Sequence, residues 1–169
     1  MDKLEILIYP DPLIRKKSAA VENITEETVN ICAAMAEAMY RSKGVGLAAP
    51  QVGILQKIIA VDIGEGLIKL INPRITLSEG HVKSEEGCLC LPKLNVDVKR
   101  FANVQVKGFD INGKELTFDA EDLLARAFQH EIDHLDGLLI IDRLSRLKRD
   151  IALRKFRKLM QKAAEEEDE

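Results

Sequence analysis

The chain has no tryptophan and only 4% aromatic residues, so its core must be built from aliphatic side chains. It has no apolar run long enough to span a bilayer, which excludes a transmembrane helix. Its first residues, MDKLEILIYPDP, lack the extended apolar stretch and small-residue cleavage site of a secretory signal. Three cysteines are an odd number and a poor disulfide framework, so a reducing cytoplasm is the expected location. The sequon Asn23-Ile24-Thr25 is accordingly read as a chance match. No internal repeat or low-complexity linker is visible. What is present suits one globular domain: 169 residues, 46% of them hydrophobic.

Charge is unevenly spread. The net charge is −3, yet residues 143–162 carry nine Lys or Arg against one acid, and residues 163–169 hold five acids. A mildly acidic body over residues 1–142 thus precedes a basic segment and an acidic tail at residues 143–169, expected as an appendage of the same domain. That pattern bears on partners rather than on fold.

The spacing predicts a helix over residues 25–44, with Thr25 as N-cap, Ile24 and Val29 as a staple, and Gly44 as a left-handed terminator. Val29, Cys32, Met35, Ala36 and Met39 fall on one face. The middle of the chain reads as β-structure. QKIIAVDI and LIKLINP surround Gly64-Glu65-Gly66 as one hairpin, and NVQVKGFDI and KELTFDA surround Asn112-Gly113 as another. From Asp119, the expected N-cap, the period turns helical through AEDLLARAFQHEIDHL to Gly137. A last helix covers roughly residues 143–164. The expected class is α+β: antiparallel sheets and hairpins packed around the helix bearing HEIDH, with an N-terminal and a C-terminal helix.

His130 and His134 lie four apart and project from one helical face, so both imidazoles can reach one metal ion, with Glu131 beside them. A catalytic site of this kind takes a third protein ligand and leaves one position for water. The candidates are in EEGCLCLP, residues 85–92, where Cys88 and Cys90 fall on an expected strand. If both sulfurs bind, the site is closed and holds only the fold. If one binds, it is open and Glu131 has a role. Sulfurs two apart on a strand start roughly 6.6 Å apart, so two on one ion would need distortion. That favours the open site over the closed one. His81 could also bind, but after Gly80 in a polar segment it reads as a solvated side chain.

GVGLAAPQ (44–51), EGCLCLP (86–92) and QHEIDHLDG (129–137) resemble, in order and spacing, the three signature motifs of peptide deformylases, and YPDPLIR resembles that family's opening. The resemblance spans essentially the whole chain. Its main departure is Cys90, where the family often has serine. The resemblance implies removal of the N-formyl group from newly made polypeptides, releasing formate. It implies Cys88, His130 and His134 as metal ligands and Glu131 as general acid and base. Gln51 and the backbone N–H of Leu89 would stabilise the oxyanion. Gly44, Val45, Gly46 and Gly87 would receive the peptide as an added strand, with an aliphatic pocket for methionine. Ferrous iron is the metal the family implies; one thiolate and two imidazoles also suit zinc, nickel or cobalt. Glu86 is expected either to pair with Arg100 or to be solvated.

Two other functions compete on sequence grounds. A zinc peptidase also uses HExxH, although its third ligand is usually His or Glu. A non-enzymatic binding module could use a closed metal site and the basic helix. In that helix Leu144, Leu147 and Ile151 form one apolar stripe, expected to pack on the domain. Ala152, Phe156, Leu159, Met160 and Ala163 form a second, opposite Arg154, Arg157, Lys158, Gln161 and Lys162. The basic face is read either as a solvated side or as a ribosomal RNA contact. The resemblance supports the ribosome as a possible partner, with no role for DNA or membrane.

Overall fold

Ile58, Ile59, Ala60 and Val61 are buried without a break, as a short apolar run bounded by turns should be when both faces of a strand are covered. In the computed structural model, which describes residues 1–169, this run is β2 (Ile58–Val61), next to the edge of a five-stranded antiparallel sheet. The sheet order is β1 (Gly46–Ala48), β2, β3 (Ile68–Glu79), β6 (Asn103–Phe109), β7 (Glu115–Glu121). A separate ribbon pairs β4 (Val82–Cys88) with β5 (Leu91–Arg100). Both hairpins expected from the turn signals form. At Asn112-Gly113 the turn is fixed by Asp110, whose carboxylate accepts from the N–H groups of Asn112 and Lys114, while Gly113 takes φ 81°.

The alternation of side chains along β2 explains the layering. Ile58 and Ala60 face α1 (Glu26–Arg41), packing with Ile31, Cys32, Met35 and Met39. Ile59 and Val61 face α2 (Asp122–Leu135), packing with Ala125, Phe128 and Leu135. The sheet is therefore held between two helices, and α2 carries its histidines beside β1. A third cluster joins β5 to α3 (Arg146–Glu167): Leu91, Leu94 and Val98 meet Ile140, Ile141, Leu153 and Phe156, with Ile14 from the N-terminal segment.

That N-terminal segment threads between distant parts of the chain. Leu7 N–H donates to the Gln51 carbonyl, Tyr9 N–H to that of Cys90, and Ser18 N–H to that of Leu135, at 2.8, 2.9 and 2.8 Å. The Tyr9 ring meets Phe156 edge-on with centroids 5.9 Å apart.

Several boundaries differ from the expected ones. Thr25 caps α1, but the helix ends at Arg41 and the left-handed residue is Lys43, at φ 58°, not Gly44. Asp119 does not cap α2; it stays in β7 opposite Gln105, because the ladder continues to Glu121 opposite Asn103, and the helix starts at Asp122 after Glu121. Residues 140–143 form a short 3-10 turn, and α3 begins only after Ser145, whose hydroxyl accepts from Lys148 N–H. The stripe assignment on α3 is largely reversed: Ala152 and Phe156, with Leu153, dock on the body, while of the stripe expected there Leu144 packs against it and Leu147 and Ile151 are exposed. The bulkier aromatic stripe buries more apolar area, which decides the docking face.

Candidate metal centre and active site

Helix α2 places His130 and His134 one turn apart with ring centroids 5.0 Å apart, as the four-residue spacing requires. β4 ends at Cys88, and Leu89-Cys90 form a tight turn before β5, where the sequence suggested continuous strand. The turn brings Cys88 Sγ to 3.4 Å from His134 Nε2. Ligand-type atoms of Cys88, His130 and His134 all lie within 4.8 Å of one another, and Cys90 is outside that group. His81 is elsewhere, stacked on Phe101 at 5.3 Å.

Each ring has a defined state. Glu86 Oε1 lies 3.0 Å from His130 Nδ1, so the other nitrogen is turned to the cluster. Burial works against charge on His130, but the Glu86 hydrogen bond and the carboxylates of Glu131 and Glu86 outweigh it and raise its pKa. Burial, then the neighbouring His130, drive His134 well below the usual histidine range. Its Nδ1 is buried without a hydrogen-bond partner. The Cys88 thiol is pushed up by the adjoining Cys90 thiol and by burial. Two imidazole nitrogens converging on a sulfur that needs a nearby cation to ionise make a donor set that fits a divalent metal.

Glu131 lies on the floor of this group. It is buried, its Oε2 has no partner, and Oε1 lies 4.0 Å from His130 Nε2. Burial pushes its carboxyl up to about 7, against the pull of His130 and Arg100. Gly46 makes room for it, since a Cβ there would meet Glu131 Oε1 at 2.6 Å. Gly44 is equally tight: its Cβ would lie 2.8 Å from Leu89 Cδ1. Gln51 is fixed by Ala48 N–H, which donates to its Oε1 at 2.8 Å, and this aims Nε2 at Cys90 Sγ (3.3 Å) and Cys88 Sγ (3.8 Å). Gly44, Val45, Gly46, Gln51, Gly87, Cys88, Leu89, His130 and Glu131 all line one open cleft.

Glu86 pairs with Arg100, as one of the two sequence readings had it. Arg100 donates from Nε and Nη2 to both carboxylate oxygens at 2.9 Å. The His130 and Arg100 hydrogen bonds overcome the burial cost and hold Glu86 at about 2. The continuation of this pair was not expected from sequence. Arg100 Nη1 also donates to Asp133 at 2.6 Å, and Asp133 accepts from Arg143 Nε and Nη2 at 3.0 and 2.5 Å. The available signal was Asp133 itself, an acid three residues from His130 and so on a neighbouring position of the same helix side. Leu123, Arg126 and Ala127, one to two turns before His130, complete the cleft wall and were also missed.

The family model for polypeptide deformylase matches residues 3–150. A peptide deformylase of Thermodesulfovibrio yellowstonii is 50% identical over 159 residues, covering 91% of this chain and 96% of that one. One from Syntrophobacter fumaroxidans is 48% identical over 165 residues, covering 95% and 97%. Among solved structures, a peptide deformylase from Legionella pneumophila superposes with TM-score 0.91 at 40% identity, covering 96% of this chain and 98% of that one. That of Synechococcus elongatus in complex with actinonin superposes with TM-score 0.85 at 38% identity, covering 90% and 86%.

Proposed function

The chain belongs to the polypeptide deformylase family, and from that premise we propose how its own residues carry out the family reaction. It is a metal-dependent amide hydrolase that removes the N-formyl group from newly synthesised polypeptides. The observation that carries the assignment of roles is the buried, unpartnered Glu131 carboxylate beside three converging ligand atoms on an open cleft.

Cys88, His130 and His134 would hold one divalent ion, Fe(2+) by family resemblance, with Zn, Ni or Co able to substitute. When bound, the ion supplies the Lewis acidity that activates water near neutral pH. Glu131 takes the proton of the attacking water and delivers it to the leaving amine; a carboxyl raised to about 7 is matched to both transfers. Gln51 Nε2 has two N–H donors. Its oxygen is already tied to Ala48, so the amide cannot flip without losing a bond, and it offers a donor with the Leu89 N–H to the developing oxyanion. Val45 and Gly87 backbone groups receive the peptide as an extra strand, and Gly44 and Gly46 let it approach closely. Glu86 keeps His130 in one tautomer and orientation.

Residues 1–142 form the catalytic unit in this reading, and 143–169 are its appended helix and tail. α3 exposes Arg154, Arg157, Lys158 and Lys162, which supports the ribosome as a partner near which formylated chains emerge. Cytoplasmic residence follows from that partner; no helix is long and apolar enough to cross a membrane. The test is formate release from formyl-Met-Ala-Ser with metal counted per chain. Cleavage of unformylated peptides at equal rate would return the site to a peptidase.

A further inference from the structure

Cys90 is a nucleophile beside the site for which the hydrolysis has no use. It is wholly buried against Leu91, Leu94 and Ile14, while Cys88 lines the cleft. Cys88 pairs with Leu91 across the turn, so Cys88 and Cys90 occupy its first and third positions. Cα atoms so placed are about 5–6 Å apart, inside the range a disulfide spans. One donor, Gln51 Nε2, reaches both sulfurs at 3.8 and 3.3 Å. Cys32 is remote, in the α1 cluster.

We propose that Cys88 and Cys90 form a modification site for peroxides, in which the cleft-facing sulfur is oxidised and the buried one resolves it to a disulfide. Cys88 sulfur attacks one peroxide oxygen, the O–O bond breaks, and the departing hydroxide is protonated to water, leaving a sulfenic acid. Cys90 sulfur then attacks Cys88 sulfur. The S–S bond forms, the S–O bond breaks, and the leaving oxygen departs as water with the Cys90 proton. Two thiols and one peroxide give one disulfide and two waters, a two-electron exchange. A disulfide sulfur is no longer a thiolate ligand, so the metal is released. The buried thiol thereby stops oxidation at a step that thiols reverse, before the irreversible sulfinic acid. The inference rests on Cys88 being a metal ligand.

The test uses the full-length enzyme loaded with zinc, which is not itself oxidised, and hydrogen peroxide in excess of the roughly three equivalents that full oxidation of one thiol would consume. Zinc release is followed with a chromophoric chelator, and the tryptic peptide 84–93, which holds both cysteines, is weighed. The expected result is a peptide lighter by two hydrogens, zinc release in step, and recovery of both on adding dithiothreitol and zinc. In C90S and C90A, zinc is still released, but Cys88 gains two or three oxygens and thiol does not restore zinc binding. Wild type accumulating the same oxygenated Cys88 would overturn the proposal, as would a disulfide to Cys32 or to a second chain. Full zinc binding by C88S before any oxidation would instead remove the ligand reading, a failure distinguishable from that of the disulfide.

Discussion

Gly46 and Glu131 are packed so closely that no methyl group fits between them: a Cβ on Gly46 would lie 2.6 Å from Oε1 and 3.0 Å from Cδ of the carboxylate. The Gly46→Ala variant must therefore move Glu131. A displacement of about 1 Å at a reacting group costs on the order of 10²-fold in rate. The expected outcome is a fall of that size in kcat/KM for a formyl peptide with metal content unchanged. Wild-type rate in the variant would show that the carboxylate tolerates the shift.

Glu131→Ala is expected to keep its metal and lose nearly all turnover, because the side chain adjoins the ligand atoms without belonging to them. The check is activity and metal stoichiometry on one sample.

Glu131 also shapes stability against pH in the metal-free protein. Its folded value, about 7, is above the ordinary 4.5, so the folded state binds this proton more tightly than the unfolded state. Its stabilising contribution is complete below pH 4.5 and is lost as pH rises through 7, by roughly 3 kcal/mol at about 1.4 kcal/mol per unit. Glu86, held at about 2, acts with the opposite sign: its contribution is present above 4.5 and is lost as pH falls towards 2. Urea unfolding across pH should show Glu131→Gln losing the decline from pH 5 to 8 while keeping the acid limb. Retention of the neutral decline would assign it to another group.

Cys88→Ser should lose metal and activity together, and Cys90→Ser should retain both in the absence of oxidant. Equal metal loss in the two variants, read by elemental analysis, would restore the closed four-ligand site.

Phe156→Ala should cost about 3–5 kcal/mol in unfolding experiments, since the ring is buried among Leu91, Leu94 and Ile14. Deleting residues 152–169 removes that ring with Ala152 and Leu153 and should abolish folding, whereas deleting 164–169 should leave activity intact. A folded, active product of the longer deletion would mean α3 is dispensable to the core.

The hairpins and the HEIDH helix were legible because each is announced locally, by Asn112-Gly113 in one case and by a four-residue repeat in the other. The beginning of α2 was not, because Asp119 is by type a better cap than Glu121, which makes no side-chain cap bond, and only pairing with β6 keeps Asp119 in a strand. The two stripes of α3 are both apolar, so periodicity does not rank them; the bulk of Phe156 does, through the area it buries. The charge chain that runs inward from Arg143 at the surface through Asp133 and Arg100 to Glu86 joins positions 10, 33 and 14 apart, so only its last link, Glu86 with Arg100, could be suspected.

The hydrogen bonds of the N-terminal segment impose an order on the making of this molecule. Leu7 and Tyr9 are synthesised among the first residues, yet their partners, the carbonyls of Gln51 and Cys90, come about 45 and 80 residues later, and that of Ser18, Leu135, later still. At translation speeds of roughly 5–20 residues per second, this segment waits for seconds with its partners unmade. The Gln51 loop can thus be braced once about a third of the chain is made, the turn after Cys88 at about half, and the end of α2 that carries His134 only at about four-fifths, so the metal pocket is assembled in steps and completed late in synthesis.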